Sequence, residues 1–300
     1  TAIQTELART DTEVSASDDD WIVGAEGRIF YGALGALPSP PLRIRAMEAY
    51  QTFPLTAPQA GATTAGTANA QTSALTGFAR AYGANVTVTA GSGLTNTASM
   101  TLNINGTGGV TLKKGQARSD LAAGDWRALV THSVWDDGTN YILTPTPGAI
   151  PLPPTFLEPR RLWLSADPRR ALDPLPQKEF FSRFPNEAPG KPTAYTIEGD
   201  CIILGPVPDA AYQLHMLSWN RFAALSGSSD TNWLLLNHPY VYVYACLIEA
   251  MFHLHYDERI VGAHAMFQSL IMGLNGQDIR GHYAEDMANP AADHKVNEAR

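Results

Sequence analysis

Positive charge is scarce in this chain: 21 Lys and Arg stand against 29 Asp and Glu in 300 residues, a formal net charge of −8. A protein that wraps nucleic acid by neutralising phosphates needs the opposite excess, clustered on one face, so that class is excluded. Cysteine is nearly absent. Cys201 and Cys246 each sit in an apolar run and form no CxxC pair, which removes zinc-type sites. Two buried free thiols are the expected state, with a bridge between them as the alternative. No apolar stretch approaches the ~20 residues of a membrane span. The N-terminus lacks the basic-then-apolar layout of a signal peptide. The chain is therefore expected to be soluble, with no export address of its own.

Catalytic groupings are missing too. His253, His255 and Asp257 in "HLHYDER" come nearest. On a helix, however, His253 and Asp257 share a face and His255 points elsewhere, so surface or interface histidines are the better reading. His238 precedes Pro239 and belongs to the start of a helix. "SGSSD" at Ser226–Asp230 reads as a turn, with Asp230 or Thr231 capping the helix that follows. "GTGG" at Gly106–Gly109 lacks the Lys-Ser/Thr and the strand–helix frame of a P-loop, and reads as a β-turn. Lys113 and Lys114 read as a solvated turn, not a phosphate site. Asn85–Thr87 and Asn105–Thr107 match the glycosylation pattern by chance in a Thr/Asn-rich stretch. No carboxylate pair lies in an apolar setting suited to acid–base work. The expectation is a protein with no catalytic site, metal or cofactor.

What is present falls into three textures, and 300 residues allow one large domain or two modest ones. Residues 1–54 read as helical. A first helix covers Thr5–Thr10, and in "SDDDWIVGAEGRIFYGAL" Asp18 to Asp20 are expected at the N-cap and first turn. Trp21, Ala25 and Ile29 form one apolar stripe. "PPLRIRAMEAYQTFPL" suits a strand or a short helix equally. Residues 55–147 begin with Ala/Thr/Gly-rich "TAPQAGATTAGTANAQTSAL". "NVTVTAG", "SMTLNING", "GVTLKKG", "RALVTHSVWDDG" and "NYILT" follow, short β-prone runs closed by Gly, Asn or Asp, as in a small all-β module.

Residues 148–300 are mixed. "PTFLEPRRLWL" leads into strands, "AYTIEGDCIILGPV" reads as a hairpin with its corner at Glu198–Asp200, and "AYQLHMLSWNRF" alternates Tyr212, Leu214, Met216 and Ser218. Together they are expected to form an antiparallel meander of three. From Thr231 the pattern turns helical, with Pro239 in a first turn, where its missing N–H costs little. Tyr240, Tyr244, Leu247, Met251 and Leu254 mark an expected apolar face. Gly273 and Gly276 read as breaks at a helix end. The tail after Tyr283 reads as polar and loose.

In order along the chain, "TFLEPRRLWL", "GKPTAYTIEGDCIILGPVPD", "YQLHMLSWNRFAALS", "TNWLLLNHPYVYVYACLIEA", "DERI" and "FQSLIMGLNGQD" resemble the head-to-tail adaptor (connector) proteins of tailed bacteriophages. "DDDWIVGAEGRIFYG" and "PLRIRAMEA" look like the first helices of that family and the arginine-rich stretch after them. The resemblance covers residues 1–54 and 148–280 and departs from the pattern at 55–147. That segment is similar instead to small repeats of phage tail fibres, through "SMTLNINGTGGVTLKKG", "LAAGDW" and "DDGTNYILT".

The resemblance implies an α+β fold: a helical adaptor body at 1–54 and 148–283 with an antiparallel β-meander, an inserted small all-β domain at 55–147, and a flexible tail at 284–300 that docks on the portal. It implies a ring of twelve copies in the neck of the virion, assembled in the host cytoplasm. The ring would lie between the portal protein and a tail nozzle or stopper protein, with collar fibres as further partners. Genomic DNA would pass a like-charged wall without sequence-specific binding. Arg43, Arg45, Arg160 and Arg161 are candidate inter-subunit partners for acids, and Tyr283 and His294 candidate portal contacts. The alternative is a receptor- or glycan-binding tail-fibre or collar protein that uses the β-module, with Trp126, Trp135 and Tyr141 on an open face.

Overall fold

The computed structural model describes residues 12–33, 37–165, 170–226, 230–253 and 258–287, leaving aside the side chains of residues 12–19, 170 and 278–287. The chain divides into two compact units, residues 1–48 with 219–300, and residues 49–218. The architecture is mixed α+β with a large share of strand.

The first unit is helical. Its helices are Thr12–Tyr31, Trp233–Asn237, Pro239–His253 and Ile260–Met287. Trp21, Ala25, Ile29 and Phe30 are buried, so the expected stripe is the packing face of the first helix. That helix starts at Thr12, which places Asp18 to Asp20 inside it and not at its cap. The expected helix at Thr5–Thr10 lies outside the described residues. Arg28 pairs with Glu249 across the Thr12–Tyr31 and Pro239–His253 helices at 2.8 Å. A Cβ on Gly24 would stand 3.1 Å from the Glu249 side chain, so the missing side chain permits this close approach.

Asn232 is the cap of the Trp233–Asn237 helix: its Oδ1 accepts from Leu235 N–H at 2.9 Å. Its Nδ2 donates to Ala223 O and to buried Tyr242 Oη. Asp230 instead accepts from the backbone and hydroxyl of Ser226. The cap is therefore not Asp230 or Thr231, the expected residues, but the next one, whose amide also satisfies a buried tyrosine. Pro239 opens the next helix as expected. Its buried residues are Val241, Tyr242, Ala245, Cys246, Leu247, Ile248, Ala250 and Met251, so Leu247 and Met251 face inward as expected, whereas Tyr240 is 65% exposed and Leu254 lies outside the described residues. The Ile260–Met287 helix runs through Gly273 and Gly276. A glycine inside a helix costs only ~1 kcal/mol, which tertiary packing of Ile260, Ala263, Phe267 and Ile271 outweighs.

The second unit is built from sheets. "RAMEAYQTFPL" resolves into both of its readings, a 3-10 turn Arg45–Met47 and then the strand Glu48–Leu55. This strand is the edge of a four-stranded sheet, followed in order by Tyr212–Asn220, Phe156–Leu164 and Arg170–Ala171. The hairpin is present: Ala194–Glu198 pairs with Cys201–Gly205 across a two-residue turn in which Gly199 takes φ +55°. It lies in a different four-stranded sheet, ordered Ile150–Pro151, Cys201–Gly205, Ala194–Glu198, Asp173–Pro174. The three runs therefore do not form one meander. Pro206 and Pro208 follow the hairpin and cannot donate to a ladder, so the chain leaves that sheet before Tyr212.

The inward sides of the two sheets share a core of Phe53, Leu55, Leu162, Leu164, Leu214 and Met216 with Tyr195, Ile202 and Leu204. The other side of Cys201–Gly205 packs Cys201 and Ile203 on Phe180 of the Gln177–Arg183 helix. Both faces of that strand are thus covered, which explains its unbroken apolar run.

Residues 55–147 hold the strands expected there. They join a curled sheet with the order Gln59–Ala60, Asn85–Thr89, Thr131–Asp136, Tyr141–Thr144, Val110–Lys114, Thr101–Ile104, Ala70–Ser73, Ala65–Thr67. Its ends meet. Gly61 N–H donates to Thr87 O, Ala62 N–H to Ala74 O, and Ser73 Oγ to Ala62 O at 2.6 Å. A Cβ on Gly61 would fall 2.7 Å from Val88 Cγ1, so this seam requires glycine. Inside, Gln71 accepts at Oε1 from Trp126 Nε1 (3.0 Å) and Thr64 Oγ1 (2.6 Å), and donates at Nε2 to Leu94 O. The low-complexity stretch thus supplies a buried polar network. Lys113 and Lys114 lie on a strand, not a turn, and pair with Asp120 and Asp125.

Candidate functional site: exposed faces of the helical unit

Burial in the helical unit leaves a distinctive remainder. Among the described residues fourteen large apolar side chains are exposed, and nine lie in this smaller unit: Val23, Tyr31, Trp233, Leu236, Tyr240, Phe252, Val261, Met266 and Met272. The helices that hide an apolar stripe also leave apolar side chains outside it. On Ile260–Met287 the buried positions are Ile260, Ala263, Phe267 and Ile271, while Val261 (58% exposed), Met266 and Met272 face out. A helix that is apolar beyond one stripe has a second surface to cover. Sequence reading missed these positions because periodicity marks an apolar residue without saying whether its own chain covers it. The available signal was the excess of apolar residues over a single stripe between Ile260 and Leu274.

The predicted contact residues are dispersed over both units. Arg43 works within its own unit. Its guanidinium donates to Phe30 O at 2.8 Å, a carbonyl from the last turn of Thr12–Tyr31, and its N–H donates to Asn275 Oδ1. Asn275 Nδ2 donates to Pro41 O and Gln268 Nε2 to Pro38 O, so the 38–43 segment is tied along the Ile260–Met287 helix. Arg45 is exposed and lines a cleft of about 270 Å3 with Trp233, His238, Leu274 and Gln277. Trp233 stacks on Phe222, which meets Phe30 edge-on. Arg160 and Arg161 are exposed on a strand of the other unit, with the Arg161 guanidinium 5.5 Å from the Trp163 ring. Tyr283 falls on the Ile260–Met287 helix with its side chain outside the described residues, and His294 lies outside them entirely.

Electrostatics adds little chemistry. Burial raises the Glu26 carboxyl above its usual range, against the backbone N–H of Leu225 and the charge of Arg221. Burial pushes the Cys201 thiol up to about 12, which makes it inert. Both cysteines are free and buried. No group of three or more His, Cys, Asp or Glu that could hold a metal ion occurs among the described residues. His253 meets the Trp21 edge at 6.2 Å, while His255 and Asp257 lie outside the described residues. No described helix is long and apolar enough to cross a membrane. Trp126, Trp135 and Tyr141, expected on an open face, are buried at 0%, 3% and 1% exposure, so they form core and not a platform.

No curated protein matches the chain. The model of the SU10 adaptor protein family matches residues 115–291, starting inside the segment expected to depart from the adaptor pattern and ending beyond residue 280. That span is more than half of the chain, and it places the protein in the SU10 adaptor protein family, as a bacteriophage structural protein of adaptor type.

Proposed function

We propose that the protein forms a ring beneath the portal, extends the DNA channel and offers a platform to the tail. The observation that carries this reading is the set of large apolar side chains that the helical unit leaves exposed. Such side chains, rich in Trp, Tyr and Met, are those that interface cores use. A ring is built from one heterologous contact repeated until it closes, which needs two different faces on every copy. Exposed apolar side chains on separate helices, Trp233 and Leu236 on one and Val261 and Met272 on one flank of another, are the candidates for those two faces. Twelve is the copy number that the resemblance to adaptor proteins implies.

The net charge of −8 supports a conduit, because DNA slides past a wall of like charge and is held by a basic one. The reading assigns no turnover and no cofactor. The closed sheet of residues 55–147 needs no partner for its edges, which suits an accessory module displayed on the ring for collar fibres. Solution mass with and without the cognate portal protein tests the proposal. A monomer or small oligomer alone and a large ring in complex are expected, together with density for this chain at the neck of purified virions. A stable trimer indifferent to portal protein, or density at a fibre tip, would overturn it.

A further inference from the structure

A cleft of about 270 Å3 in the β-rich unit is bordered by polar side chains, one of which keeps a buried oxygen without a partner among the described residues. Arg118 forms one side. Its side chain is only 18% exposed, its Nη1 donates to Gly115 O, and its Nε stands 3.6 Å from Asp137 Oδ2, too far for a hydrogen bond. Asp137 is itself held still, since Oδ1 accepts from Thr139 N–H and Asn140 N–H. Gln51, also on the cleft, has a buried Oε1 with no partner among the described residues. Tyr82, 44% exposed, makes an aromatic wall and is braced edge-on by Trp135 at 5.1 Å. An unpaired buried acceptor is costly, so a fold that keeps one in a cleft, beside a guanidinium and a carboxylate only loosely paired to each other, gains when a matching donor arrives.

The chemistry of that ligand follows from the groups. Guanidinium and carboxylate sit side by side and cancel in charge, so an anion meets Asp137 and a cation meets Arg118. Neighbouring hydroxyls answer both at once, one accepting from the fork and the next donating to the carboxylate. A ring face of C–H groups packs on Tyr82, as apolar and aromatic walls with a few placed polar groups do in small-molecule sites. The volume lies just below the ~300 Å3 lower bound for drug-sized ligands, which limits the occupant to one or two sugar rings. We infer that the cleft bounded by Tyr82, Arg118, Asp137 and Gln51 is a binding site for a neutral saccharide. It is independent of ring formation, and of the three buried aromatics it is bordered by Trp135, which braces its Tyr82 wall.

Saturation-transfer NMR on the full chain tests it, with the methyl glycosides of glucose, galactose, mannose and N-acetylglucosamine as probes. Transfer to ring protons of at least one probe is expected, with affinity about tenfold weaker in Tyr82→Ala and in Arg118→Lys. Tyr82 is partly exposed, so Tyr82→Ala keeps the test valid even if the arginine variant fails to fold; near-UV circular dichroism verifies both. The absence of transfer from all four probes, or transfer unchanged in the folded Tyr82→Ala variant, would overturn the inference.

Discussion

Asp136 exposes none of its side chain, yet it carries a charge into the strand Thr131–Asp136. It is matched there by Arg80, whose Nε and Nη2 reach its two oxygens at 2.9 and 2.8 Å, while Oδ1 also accepts from Gly138 N–H. The same guanidinium lies 5.3 Å from the Tyr141 ring. Bidentate geometry and a third hydrogen bond offset the desolvation of the pair, so removing one partner costs more than the pair contributes. Asp136→Ala is expected to destabilise the β-rich unit by ~3 kcal/mol in denaturant unfolding. His132 gives the same module a pH dependence. It stacks on buried Trp126 at 4.2 Å, and burial lowers its pKa below the ordinary 6.5. Between that lowered value and 6.5 the unfolded chain binds a proton that the folded chain does not. Stability therefore falls as pH drops through 6.5 and levels off below the folded pKa. Unfolding midpoints at pH 7.5, 6.5 and 5.5 should show this decline, and His132→Gln should flatten its slope.

At the scale of elements, the curled sheet closes on itself but does not keep its residues to itself. Trp135 and Ile142 pack outside its own core, against the cluster that holds Phe53, Leu55, Ile150 and Leu204. Excising residues 56–146 and joining the ends should therefore expose those side chains. We expect a lower unfolding temperature and dye-accessible apolar surface in what remains, measured by thermal unfolding and dye fluorescence. The hairpin at Ala194–Gly205 was readable because a two-residue turn and two apolar runs are local signals. The partners of Tyr212–Asn220 were not, since one of them, Glu48–Leu55, lies far back in the sequence and no local pattern names it. The same holds for "GATTAGTANAQTS", which looks featureless although Gln71 and Thr64 anchor Trp126 through bonds to residues 7 and 55 positions away. Gly273 and Gly276 misled for the converse reason, as a local signal that distant packing overrode.

For the whole molecule, the candidate assembly surface can be separated from stability because its residues sit outside the core. Leu236 is 70% exposed and Val261 58%, so neither contributes much burial to its own chain. Leu236→Asp and Val261→Asp should each change the unfolding free energy by no more than ~0.5 kcal/mol, the usual range for surface substitutions. In an assembled ring the same aspartates would be buried without partners, at a cost that a repeated contact multiplies around the circle. The two variants should thus remain folded, with unaltered circular dichroism, and fail to form the large species with portal protein. Mixing them adds a sharper test. If the two positions belong to opposite faces of one heterologous contact, a mixture of the single variants still has no way to close a ring, because every closed circuit contains a damaged joint. If each forms a separate isologous contact, the mixture should yield short closed species. Analytical ultracentrifugation of wild type, each variant and the mixture distinguishes these outcomes. Full-sized rings from both single variants would show that these faces take no part in assembly.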